Sequence, residues 1–166
     1  MADTSDDDFR VAVSNSDGER LAWDAVDRIW FTLSTPYEPD ARLATLTPGQ
    51  RAVYSLLWTY SEIGNGGLHQ YFFNSTGYLL PEAIAGAELL DQPELARELR
   101  NAAALFGDPY ARDRDERAAV LQRLPDPDDP FWDGLDDVVY PLLERLADHE
   151  LSRYITQNPE EFFLPS

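Results

Sequence analysis

Apolar residues recur along this chain at three- and four-residue intervals almost from end to end, the spacing of helices with one buried face. Between residues 18 and 34, Ala22, Val26, Ile29, Trp30 and Leu33 fall on one stripe, and Pro36 closes the segment. Thr47-Pro48-Gly49-Gln50 then predicts a helix start, with a threonine cap, proline in the first turn and glutamine three residues on to complete a capping box. Val53, Leu56, Leu57 and Tyr60 carry that helix inward. Gly64 offers a left-handed residue to end it, and Asn65 is placed to cap a second, short helix bearing Leu68, Tyr71 and Phe72. Further starts are predicted at Pro81 and Pro93, the latter stopping near Gly107. Asp113 is expected to cap a helix through Leu124, and Asp133 another through Val138 and Val139. Pro141 should kink or restart that last helix, which runs to about Gln157.

No alternating strand pattern, internal repeat or dividing linker interrupts this series, so the expectation is all-α, a compact multi-helix single domain. Its helical domain is assigned to residues 16–166. Residues 1–15 form an acidic segment, the first dozen of which are expected to lack order. At 166 residues the chain is long enough to bury one sizeable core.

Charge changes the picture. Thirty-one acids face thirteen bases, all arginine, for a net charge of -18. B-DNA carries about one charge per 1.7 Å of axis, so the excess matches about nine base pairs, or roughly 30 Å of duplex. A compact domain of this length has a similar extent, with a radius of gyration of roughly 15 Å. Such a surface repels nucleic acid and lipid headgroups and attracts basic proteins, although solubility or a salty cytoplasm would also account for it. The excess is uneven. Residues 1–40 are net -7, residues 41–90 only -1, and residues 91–166 net -10. The centre therefore reads as core and the ends as candidate recognition surface.

There is no cysteine, which excludes a disulfide framework and thiolate metal sites. The acidic amino terminus is unlike a signal peptide, and no apolar run reaches the ~18 residues of a membrane span. A soluble cytoplasmic protein is expected.

Residues 62–77 are the least ordinary stretch, mixing glycines, amides and aromatics between apolar segments. At Asn65-Gly66-Gly67, glycine permits positive φ and close backbone approach, so two helices can meet at a sharp angle. Glu62, Gln70 and Asn74 are suited to satisfying backbone groups exposed at such a junction, where an unpaired buried group costs about 1–3 kcal/mol. The alternative is that Glu62, His69 and Gln70 line a small-molecule or metal pocket. His149 sits between Asp148 and Glu150 on an expected charged face, and a dyad with His69 would need an unsupported coincidence. No nucleophile elbow, phosphate-binding glycine loop or zinc-binding helix signature is present.

The segment 126–137 holds Asp126, Asp128, Asp129, Asp133, Asp136 and Asp137 and no base. Calcium fails there, because counting from Asp129 puts Phe131 at the third ligand position and Tyr140 at the twelfth. The six acids are candidates for partner binding by phosphate mimicry, for an arginine hook or for a weak cation site. Otherwise they are a solvated loop, with Asp136 and Asp137 favouring the positive end of their own helix. Phe131 and Trp132 are expected to anchor the loop on the core.

Tyr60, Glu62, Asn65-Gly66-Gly67, Gln70-Tyr71-Phe72 and Asn74-Ser75-x-Gly77, with Leu135-Asp136-Asp137-x-x-Tyr140 and Tyr154-Ile155-x-x-Asn158 later, resemble the DNA mimic protein 19-like family over roughly residues 45–163. The resemblance implies an all-helical protein, without catalysis, cofactor or metal, that presents acidic surface to a basic DNA-binding protein such as a transcription regulator or a nuclease. It also suggests a homodimer. An immunity or antitoxin protein for one toxin enzyme, and a small-ligand domain built on residues 62–74, are the competing classes.

Overall fold

A computed structural model describes residues 6–14, 18–32 and 43–163. Its helices are α1 (Asp6–Ser14), α2 (Gly18–Thr32), α3 (Pro48–Phe73), α4 (Leu80–Leu89), α5 (Pro93–Ala103), α6 (Arg114–Leu121), α7 (Pro130–Arg145) and α8 (Leu151–Gln157). Short 3-10 turns follow α3, α5 and α8, and one π-helical turn, Leu146–Glu150, joins α7 to α8. Among the described residues there is no strand, and the all-α expectation holds.

The spine is α3, which packs against α2, α4, α6 and α7. Val53, Leu56, Leu57, Leu68, Tyr71 and Phe72 on it are fully buried. Its start is the one read from sequence: Gln50 N donates to Thr47 Oγ1 at 3.1 Å and Thr47 N donates to Gln50 Oε1 at 3.0 Å. Asp113 caps α6 as expected, accepting from the amides of Asp115 and Glu116 at 2.9 and 3.0 Å. On α2, Ala22, Val26 and Ile29 face the core. The Trp30 side chain and residues Leu33 and Pro36 lie outside the described residues.

Three local expectations are corrected. Residues Asp6–Ser14 form a helix where no order was expected. Phe9 is the reason: it is fully buried, its ring 6.5 Å from that of Phe162 and 6.2 Å from that of Phe163. Burying such a side chain is worth about 1.5–3 kcal/mol, enough to hold a short acidic helix. The helix assigned to a cap at Asp133 instead begins at Pro130, with Asp129 Oδ1 accepting from Phe131 N at 2.9 Å. Nor does Pro141 restart it, since α7 continues to Arg145 before the π-helical turn.

Candidate functional site

The glycine-rich block breaks α3 without ending it. Gly64 and Asn65 stay helical, and the break falls on Gly66 (φ -163°, ψ 21°) and Gly67 (φ 71°, ψ 179°). The Gly67 conformation is one that residues with a Cβ rarely enter. Asn65 is exposed and does not cap the second half. The cap comes from α7, where Asp136 Oδ1 accepts from Leu68 N at 2.8 Å. This carboxylate sits at the positive end of a helix other than its own. It lies so near Gly67 that a Cβ there would strike Asp136 Oδ2.

Glu62 and Asn74, expected to satisfy backbone groups, pair with each other across the break: Asn74 Nδ2 donates to Glu62 Oε2 at 2.7 Å. The Gln70 carboxamide lies over Gly66, in space that a side chain at 66 would fill. His69 meets Trp132 edge to face, ring centroids 5.1 Å apart. Burial holds the His69 imidazole below its usual pKa, against an opposing pull from Asp126.

The second half of α3 ends on a residue that sequence reasoning missed. Arg117 is fully buried and donates to the carbonyls of Phe72 at 2.9 Å, Asn74 at 2.8 Å and Ala111 at 3.4 Å, and to that of Arg112. A guanidinium suits the Phe72 and Asn74 carbonyls, which lie at the negative end of the α3 dipole, while those of Ala111 and Arg112 come from the coil before α6. Gly77 makes room, since a Cβ there would lie 2.7 Å from Tyr71 O and 3.0 Å from Arg117 Nε. The run Asn74-Ser75-x-Gly77 thus wraps a buried cation. The signal available was faint: Arg117 stands four residues before Leu121, on the same helix face, and both are buried.

In the acidic segment, Asp126, Asp128, Asp129, Asp133 and Asp137 are exposed and Asp136 is half-buried. Trp132 anchors the segment as expected, buried and donating from Nε1 to Pro125 O at 2.9 Å. Phe131 does not, being 37% exposed. Among the described residues none of the six acids forms an ion pair with arginine, whereas Glu82, Glu88, Glu94, Glu98 and Glu150 all do. Burial raises the Asp136 pKa, the Leu68 amide opposes that, and the charges of Asp133 and Asp137 add to it.

The two singled-out stretches meet. A cleft of about 540 Å³ has Gly66, Gly67, His69, Gln70 and Phe73 on one side and Pro127, Trp132, Asp133 and Asp136 on the other. Glu62, Asn65 and Asn74 do not line it, nor do Asp126, Asp128, Asp129 and Asp137. The family model for DMP19-like proteins matches residues 44–158. The chain belongs to the DMP19-like protein family. The DMP19-like span opens just before the capping box of α3 and closes on Asn158, so it contains the broken helix, Arg117 and both walls of the cleft. No curated protein and no solved structure matches the chain. Within the described part of this DMP19-like chain, no three His, Asp or Glu residues are grouped to hold a metal ion. No helix there is long and apolar enough to cross a membrane.

Proposed function

We propose that this DMP19-like protein binds, without catalysis, the basic DNA-contacting surface of a transcription regulator or nuclease and keeps nucleic acid from it. The observation that carries this reading is the set of six carboxylates at 126–137 that have no arginine partner among the described residues, five of them exposed. At the start of α7, Asp133 stands four residues from Asp129, three from Asp136 and four from Asp137, spacings that put Cβ atoms ~5–6 Å apart on a helix face. Their carboxylates offer arginine and lysine the charge-assisted bonds that phosphates otherwise accept.

The test has three steps: capture of a basic DNA-binding protein on the immobilised chain, release by salt, and competition with duplex in a gel-shift assay. A partner freed as screening shortens below about 8 Å, and exchanged stoichiometrically between duplex and protein, supports the reading. A complex indifferent to ionic strength sinks it. The cleft favours a second reading, a small-ligand site on the second half of α3. A metabolite co-purifying with the native chain, and lost on blocking the cleft, would favour that instead.

A further inference from the structure

We propose that the cleft beside the helix break is a socket for one arginine side chain of the basic partner. This rests on the binding reading above and assigns the contact at which that partner is held. Polar and aromatic side chains line the cavity together. Asp133 and Asp136 lie one turn apart on α7, both open to the cleft, and the Leu68 amide occupies only Oδ1 of Asp136. The Gln70 carboxamide on the opposite wall adds a neutral acceptor.

Lysine is served less well by this arrangement. An ammonium is a compact, strongly hydrated charge, while a guanidinium is planar, bears donors on several edges and stacks on rings. The cleft supplies both requirements, with acceptors on two walls and the rings of His69, Trp132 and Phe73 around them. Burial lowers the His69 pKa against an opposing pull from Asp126, which disfavours a competing positive charge on this wall. Phe73 already takes a guanidinium from the chain itself: Arg114 Cζ lies 4.9 Å from its ring centroid, although Arg114 does not line the cleft. Gly66 and Gly67 have no Cβ, and this lets the Gln70 carboxamide and the Asp136 carboxylate lie against the backbone there.

The experiment is NMR titration of the full chain with arginine amide and, separately, lysine amide at fixed ionic strength, following the His69 ring and the Trp132 indole N–H. Ligands of this size bind with a Kd on the order of 1–10 mM in a good site. Saturable shifts at both reporters with arginine amide, about five-fold tighter than with lysine amide, support the socket. Asp133→Asn should then weaken arginine amide about five-fold, while Asp128→Asn, which removes the same charge outside the cleft, leaves it unchanged. Equal weakening by both variants, equal affinity for the two amides, or shifts at His149 matching those at His69 would reduce the effect to diffuse attraction and overturn the inference. If the socket fails while duplex still displaces the captured partner, only the inference falls. If arginine amide binds but duplex and partner do not compete, the proposed function falls and the socket stands.

Discussion

Helices α4 and α5 and the segment 126–137 are both rich in acids, but they use them differently. In the former, Glu82 holds Arg112 through two bonds of 2.8 and 2.9 Å, Glu88 pairs with Arg100, and Arg97 lies between Glu94 and Glu98. In the latter no acid forms an ion pair with an arginine among the described residues. The contrast shows in acidity: the Arg97 bond, then that from Asn101, holds Glu98 below the usual carboxylate range, whereas burial pushes Asp136 above it. Helices α4 and α5 are net -2, four glutamates against two arginines, and the segment 126–137 is net -6 with no base. What distinguishes them is whether the chain supplies the counter-charge or leaves it to another molecule.

The comparison breaks most severely at Arg117, the buried cation beside the Arg112–Glu82 pair. Arg117→Met should cost about 3–5 kcal/mol in urea unfolding, because four carbonyls lose their donor at once. A loss under 1 kcal/mol would mean that water replaces the guanidinium and that the internal charges matter little.

Next in size is an exchange in each region, five charges in one and four in the other. Replacing Asp126, Asp128, Asp129, Asp133 and Asp137 by asparagine should weaken partner binding about 100-fold near physiological salt, with the melting temperature unchanged or raised. Replacing Glu82, Glu88, Glu94 and Glu98 by glutamine should leave affinity within about three-fold and cost at most ~1 kcal/mol per surface pair. Calorimetry on both sets decides the matter, since equal losses would reduce recognition to total charge.

Smaller effects sharpen the boundary at Asp136, which belongs to both the fold and the cleft. Asp136→Ala leaves the Leu68 amide uncapped and should cost about 1–2 kcal/mol. Asp136→Asn keeps an acceptor and removes a charge that the fold disfavours. Because the folded pKa is raised, the Asp136 contribution is full below the ordinary carboxylate value of about 3.9 and is lost as pH rises through the folded value. The asparagine variant should therefore match or exceed the native protein at pH 7 by within about 1 kcal/mol, and lose that advantage in acid. Denaturation midpoints of the two proteins from pH 3 to 7 provide the check.

Much of this was legible locally. The box at Thr47 and Gln50, the cap at Asp113 and the stop near Gly107 depend only on neighbours in sequence, and each appears where the residue pattern places it. The break in α3 was legible in kind but not in position. Three glycines offer themselves, and the choice is made by Asp136, which caps Leu68 from 68 residues away. The signal for α1 was outweighed by its acids, because Phe9 gains its partners from the far end of the chain. Arg117 read as one more charged helix residue. Both walls of the cleft stood out as unusual composition, yet nothing in their spacing said that they face each other.

Glu161 has a consequence for how the protein comes into being. One of its oxygens accepts from the Gly49 amide at 2.9 Å and the other from the Tyr154 hydroxyl at 2.8 Å, joining the start of α3 to a residue 112 positions later. On the ribosome the Gly49 amide faces water until Glu161 has been made, even where the box at Thr47 and Gln50 has already closed. Non-local closure of this kind is slow. The early helices therefore spend most of synthesis with apolar faces such as that of Phe9 uncovered, and this is the interval in which a chaperone would matter most.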